Sequence, residues 1–336
     1  MTFPEAVSLV DGARTPEELF GTSRPSTVYR NLARLLHPDS VPPSQKAAAT
    51  AAFARLSTLW ARHEGRLTSV LITPKHRYTV GARVAVGDLA SLYAARVDGD
   101  DVLIKVPRRP ADNDLLEREA TALATLAADG DPKYRAYVPR LVESYRQEEP
   151  ATGARRTVNV LRRCTGFVPL SRVAAAYPQG VDPRDVAWMW RRLLVAVGYA
   201  HQVGIVHGAV LPEHVLIHPD EHGVVLVDWC YATAPGATVP ALVTRHRSLY
   251  PPEVPAREPA SPATDIFMAT ACMRQLMGRR AHPALVRFAA GCTLGPPRMR
   301  PQNAWHLLGE LDDLLHNLYG PRTFRPFTLL KEAHHG

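Results

Sequence analysis

Lys105 makes the clearest chemical demand on its surroundings: it lies in DVLIKVP, a cation inside an apolar run of a chain that holds few lysines. A buried ammonium needs a counter-charge, because its desolvation is costly unless it is paired and hydrogen-bonded. Glu119, in LLEREATALATL on the following helix, is placed to answer that demand. A second question comes from two copies of the same triplet. His37-Pro38-Asp39 ends the basic stretch YRNLARLLHPD, and His218-Pro219-Asp220 lies in VLIHPDEHG. Pro and Asp are ordinary turn residues, so context must decide what each copy does. Cys230 has no identifiable flanking base and reads as a small packing residue rather than a nucleophile. His334 and His335 read as exposed, since two adjacent histidines do not make a metal site.

The elements that must position these groups follow from periodicity. Residues 25–36 place Val28, Leu32 and Leu35 at helical spacing, with Arg24, Arg30 and Arg34 available to the other side. That predicts a short basic helix, stopped by Pro38. Residues 41–65 predict a second helix with Ser44 as its cap and Phe53, Leu56, Leu59 and Trp60 as its apolar stripe. The first triplet therefore falls between two antiparallel helices. After a connector the texture turns to strands, broken by Gly87-Asp88 and by Asp98-Gly99-Asp100-Asp101, the latter a good hairpin turn. NDLLEREATALATLAADG predicts the helix that carries Glu119. Residues 184–204 predict a strongly apolar helix whose Trp188 and Trp190 pack in a core or face a groove. HVLIHPDEHGVVLVDW predicts a hairpin with the second triplet at its turn, and proline-separated helices follow from about residue 261.

The chain has 336 residues, room for two or three units with their own cores, and 46% hydrophobic with 21% charged residues is an ordinary globular composition. The N-terminal stretch lacks the basic start and apolar core of a secretory signal. No apolar run reaches the roughly 18 residues of a membrane span, so a cytoplasmic protein is expected. Cys164, Cys230, Cys272 and Cys292 are far apart, which suggests neither a disulfide framework nor a zinc site. The formal charge of +8 is spread out and comes almost wholly from arginine. Nucleic-acid binding is not expected from that balance alone.

Residues 16–64 resemble a J-domain, the module by which DnaJ-like co-chaperones engage DnaK-type chaperones; the resemblance rests on YRNLARLLHPD. It implies that His37, Pro38 and Asp39 make the chaperone contact, with Arg30 and Arg34 meeting an acidic surface. The family's glycine-rich and zinc-binding segments are absent, so client binding would lie elsewhere in the chain.

Residues 77–318 resemble the protein-kinase fold. The resemblance rests on Lys105, Glu119, Asp228-Trp229-Cys230, YPPEV over residues 250–254 and TDIFMAT, in that order along the chain. It implies that Lys105 grips nucleotide phosphates, Glu119 positions it and Asp228 holds magnesium. It further implies that Glu253 pairs with an arginine such as Arg300 and that Asp265 is a buried anchor. The departures are concentrated where chemistry is done. Of the three glycines of the phosphate-covering loop only Gly87 remains, between Ala85 and Ala90. The catalytic loop reads HGAVLPEH: Ala209 stands where the resemblance requires the catalytic aspartate, Leu211 where it requires lysine and His214 where it requires the magnesium-binding asparagine. Gly208 removes the arginine that would read a loop phosphate. Magnesium prefers oxygen ligands, which makes imidazole a poor substitute, and a positioned base is worth about 10²–10⁴ in rate.

The resulting expectation is an α+β protein: a helical J-domain-like hairpin (1–66), a linker (67–76), and a two-lobed kinase-like fold with a small β-rich lobe (77–163) and a large helical lobe (164–318), then an irregular tail (319–336). No catalytic residue is assigned. The candidate nucleotide-binding residues are Gly87, Lys105, Glu119 and Asp228, with Asp228 the candidate magnesium ligand. Two readings of Asp228 stand side by side, a ligand of Mg-ATP and a buried carboxylate held by Lys105. The expected function is a co-chaperone or adaptor that recruits and stimulates a DnaK-type chaperone and carries a pseudokinase that binds a client, regulator or nucleotide. The alternative is an active serine/threonine-kinase-like phosphotransferase with Glu213 or Asp228 as its base.

Overall fold

The computed structural model describes residues 1–21, 25–63, 69–148 and 153–329. Arg24, His334 and His335 lie outside them. The chain divides into two units, residues 1–87 with 91–104 and residues 88–90 with 105–336.

The first unit begins with four helices: α1 (Phe3–Gly12), α2 (Pro16–Phe20), α3 (Pro25–Leu36) and α4 (Lys46–His63). Thr2 donates its backbone N–H to the Glu5 carboxylate (2.7 Å) at the start of α1, and the Thr15 hydroxyl accepts from the Glu18 N–H (3.3 Å) at the start of α2. Both satisfy donors that a helix start leaves orphaned. The predicted stripes converge on one core, in which Ala6, Val10, Phe20, Leu32, Leu36 and Leu56 are buried, with Val28, Leu35, Phe53 and Trp60 packed against it. Tyr29 on α3 stacks on Trp60 of α4 at 4.5 Å between ring centroids. Arg55 reaches from α4 to accepting carbonyls at the end of α1, Val10 (2.9 Å) and Ala13 (3.0 Å), where a cation meets the negative end of the helix dipole. Ser44 does not cap α4. It sits in a 3₁₀ turn over Pro43–Gln45, because the paired prolines before it hold that segment in a separate turn.

Four strands follow: β1 (Ser69–Ile72), β2 (Arg77–Val86), β3 (Ala90–Val97) and β4 (Asp100–Pro107). Strand β1 lies within the stretch expected to be a linker and pairs antiparallel with β2, Ser69 opposite Val80 and Ile72 opposite Arg77. The order in this unit is β1-β2-β3-β4. Asp98 and Gly99 both take positive φ, 50° and 86°, the two-residue turn whose twist matches the strands it joins.

In the second unit α5 (Asn113–Asp129) precedes β5 (Leu141–Glu148), β6 (Arg155–Arg162), β7 (Val168–Pro169), α6 (Leu170–Ala176) and α7 (Pro183–Gln202). The end of β4 continues the order as β4-β6-β5. The hairpin of β8 (Val215–His218) and β9 (Gly223–Leu226) pairs with β7, and α8 (Pro262–Met277), α9 (Pro283–Cys292) and α10 (Ala304–Tyr319) complete the unit. Helix α7 is its axis: it packs against α8, α10 and β9 and buries Met189, Trp190, Leu193, Leu194 and Val197. Residues 321–329 form neither helix nor strand, as expected, yet they are pinned. Phe327 is buried, Tyr177 donates its hydroxyl to the Thr328 carbonyl, and Arg325 pairs with Asp182 (3.2 Å) and Asp185 (3.3 Å). No helix among the described residues is long and apolar enough to cross a membrane.

Candidate functional site

Strand β4 delivers Lys105, α5 delivers Glu119 and the chain leaving β9 delivers Asp228, and in the second unit the three meet. The Lys105 ammonium donates to Glu119 Oε1 (2.8 Å), Asp228 Oδ1 (2.6 Å) and the Cys230 sulfur (3.2 Å). The other Glu119 oxygen accepts from the Asn159 side-chain amide (2.9 Å). Burial works against the Lys105 charge, but the opposing charges, Asp228 foremost, outweigh it and hold its pKa well above the ordinary lysine value. Cys230 is a core thiol, as read from sequence, and burial pushes its pKa well up. Its contact with Lys105 was not foreseen.

The second oxygen of Asp228 is also taken. His214 Nε2 lies 3.0 Å from Asp228 Oδ2, and His214 Nδ1 lies 2.8 Å from the Ala209 carbonyl. Both partners are pure acceptors, so both ring nitrogens must donate: His214 is an imidazolium. Burial opposes that charge, yet Asp228 raises the His214 pKa above the usual histidine value. Burial likewise disfavours the Asp228 carboxylate, but Lys105 and His214 together hold its pKa well below the usual range. Asp228 itself sits at φ 65°, ψ 58°, a left-handed conformation that costs a non-glycine residue on the order of 1–3 kcal/mol and marks a position held by its surroundings.

This arrangement does not fit a magnesium ion. Glu119, Asp228 and Cys230 are close enough together to share one, but Lys105 already sits among all three and an imidazolium covers the remaining Asp228 oxygen. Magnesium would require oxygen donors free of competing cations. Gly87, the other candidate nucleotide residue, ends the part of the first unit that follows β2.

The catalytic-loop segment is packed rather than open. Ala209, Val210 and Leu211 are fully buried, and the loop is hung from α8 by one carboxylate. Asp265 accepts the His207 N–H (2.7 Å), the Gly208 N–H (2.9 Å) and a His201 ring donor (3.0 Å), which makes it the buried anchor that the resemblance implied. Gly208 takes φ 75°, and a Cβ there would meet the Tyr231 carbonyl at 2.8 Å; no side chain fits. His207 accepts the Ala209 N–H on Nδ1 (3.2 Å) and donates from Nε2 to the Val227 carbonyl (3.0 Å), so it is neutral, and burial lowers its pKa to about 4. The alternative base, Glu213, has its Oε2 2.8 Å from His246 Nε2, a nitrogen that itself accepts from Arg245 (3.2 Å). Glu253 and Arg300 form the expected pair, bidentate and buried, at 2.7 and 2.9 Å.

These two histidines fix the pH dependence of stability. His207, lowered in the fold, contributes stability that is lost as pH falls from about 6.5 toward 4; His214, raised in the fold, contributes stability that is present below about 6.5 and lost as pH rises through its folded value. Urea midpoints between pH 5 and 9 should peak near pH 6.5, and His214→Gln should flatten the alkaline side. An unchanged alkaline slope in the variant would refute the imidazolium assignment.

The two His-Pro-Asp triplets take different places. His37-Pro38-Asp39 joins α3 to α4, with side chains of His37 and Asp39 48% and 80% exposed and Arg30 and Arg34 exposed on α3. The Asp39 N–H donates to His37 Nδ1 (3.3 Å), and the His37 ring packs edge-on to Phe53. His218-Pro219-Asp220 is the turn of the β8–β9 hairpin, His218 opposite Gly223, as its context predicted. Of the two tryptophans left open by sequence, Trp190 packs against Phe288 in the core, whereas Trp188 stacks on His222 beside a cavity.

The solved BubR1 kinase domain aligns with the chain at a TM-score of 0.57 and 15% identity, over 74% of this chain and 83% of that one. The fold is kinase-like. No family model matches the chain. A stretch of 45 residues is 40% identical to casein kinase II subunit alpha' of Saccharomyces cerevisiae, which is 13% of this chain and 13% of that relative's length. The kinase-like part thus keeps the architecture while its cleft residues are tied to one another.

Proposed function

We propose that the chain is a two-part adaptor: the N-terminal helices act as a J-domain that recruits and stimulates a DnaK-type chaperone, and the kinase-like part is a pseudokinase that presents a surface to a client or regulator protein. The observation that carries the reading is the double capture of Asp228, by Lys105 on one oxygen and His214 on the other, beside a buried alanine at the base position. Phosphoryl transfer depends almost entirely on positioning and charge stabilisation, and here the charges that would do it neutralise each other. Resuming it would require Asp228 to be released twice. The N-terminal helices supply the outward-facing half of the reading: two exposed basic residues and a triplet with exposed His37 and Asp39, carried on a packed helical core.

Thermal unfolding tests the inactive cleft. A ligand at 100 times its dissociation constant stabilises a protein by about 2.7 kcal/mol, a shift of a few degrees. Saturating Mg-ATP should leave the melting temperature unchanged, and labelled γ-phosphate should reach no protein substrate. A rise of several degrees that disappears in Asp228→Asn would overturn the reading.

A further inference from the structure

Remote from Lys105 in sequence, α7, the C-terminal end of α10, the β8–β9 turn and residues 320–326 line a cavity of about 850 Å³, within the range of small-molecule sites. Its wall is an aromatic stack. The rings of Trp188 and His222 are parallel to within 4° at 4.1 Å, and Phe324 stacks on His222 at 4.5 Å. Phe324 is nevertheless 68% exposed, so this three-ring stack ends on a face open to a further ring. Burial, together with the nearby charges of Arg192 and Arg322, pushes the His222 pKa down, which leaves the stack uncharged. Trp188 Nε1 and His222 Nε2 are buried without hydrogen-bond partners among the described residues, although buried ring N–H groups ordinarily find one.

The ion pairs around the cavity leave two of its cations without a direct carboxylate partner among the described residues. Of its four arginines, Arg191 is paired with Asp312, and Arg325 with Asp182 and Asp185. Arg184 lies over the Tyr319 ring at 5.2 Å. Neither Arg184 nor Arg322 has a carboxylate partner among the described residues, and Asp313 is the one acidic lining residue left to offset them. Burial first, then the neighbouring Arg322 and Arg192, lower the Arg191 pKa, which places Arg322 close to a second cation. Two unpaired guanidiniums suit a dianion with several acceptor oxygens better than a single carboxylate.

We propose that this cavity binds a small aromatic phosphate, of the nucleoside monophosphate class, with its ring stacked on Phe324 and its phosphate held by Arg184 and Arg322. This does not rest on the adaptor reading. The test is calorimetric titration of the full chain with the adenosine, guanosine, cytidine and uridine 5′-monophosphates and with phenyl phosphate, against adenosine and inorganic phosphate alone. At least one phosphate ester should bind at one per chain, about tenfold or more tighter than either half-ligand. Arg322→Glu should weaken it by about tenfold or more, and Phe324→Ala by roughly fivefold to a hundredfold. Both side chains are exposed, so both variants should keep the wild-type melting temperature. The proposal is overturned if none of the five esters binds, if inorganic phosphate binds as tightly as the best ester, or if both variants bind with unchanged affinity, which would place the ligand elsewhere.

Discussion

His37→Gln should reduce the stimulation of a DnaK-type chaperone's ATP hydrolysis to nothing while leaving the protein's own stability within about 0.5 kcal/mol of wild type, the usual effect of a surface substitution. The separation follows from geometry. The His37 ring is half exposed and meets the core in an edge contact with Phe53, while the helices on either side bury Leu32, Leu36 and Leu56. Glutamine keeps an amide near the position of the ring nitrogen but loses the ring. The internal control is unusually close, since His218→Gln alters the same triplet in the β8–β9 turn and should leave stimulation intact. Undiminished stimulation by the His37 variant, measured as steady-state phosphate release by the chaperone, would remove the J-domain from the reading.

Lys105→Met should cost about 3–5 kcal/mol, the penalty for breaking a buried ion pair by removing one partner. The variant leaves Glu119, whose side chain is fully buried, with only the Asn159 amide on its far oxygen, and leaves Asp228 with His214 alone. Against a total stability of about 5–15 kcal/mol this is a large fraction, readable as a fall in the urea midpoint. Adding Glu119→Gln should recover part of the loss, because it removes the stranded charge and keeps the amide contact within reach. A loss below about 1 kcal/mol in the single variant would mean that Lys105 is not the hub of the cluster.

Legibility in the sequence followed distance along the chain. The helices beside the first triplet, the Asp98-Gly99 turn and the β8–β9 hairpin are written in local periodicity and turn chemistry, and they fold as read. Asp265 and the Glu253–Arg300 pair were also legible, but only through the order of motifs, since nothing local tells Arg300 that its partner lies 47 residues earlier. His214 was legible as a poor magnesium ligand and illegible as a cation in its own right. The signal was present: a histidine at a metal-binding position brings a positive charge to the same carboxylate. The Lys105–Cys230 contact and the docking of residues 321–329 left no such trace. Each depends on contacts across more than 100 residues of chain, 125 from Lys105 to Cys230 and 151 from Tyr177 to Thr328, which neither propensity nor pattern encodes. Strand β1 was missed because four residues are too few to display a period.

On the inactive reading proposed above, the packing of residues 209–211 acts as a ratchet. Restoring an aspartate at Ala209 or a lysine at Leu211 would bury a charge at a position with no exposed surface, and an uncompensated buried ion costs several kcal/mol. Each step back toward a working cleft would therefore be selected against before any turnover appeared, and His214 would still have to leave Asp228. On that reading, descendants of this chain can drift in what their surfaces bind, while each step back toward phosphotransfer carries the cost of a buried charge.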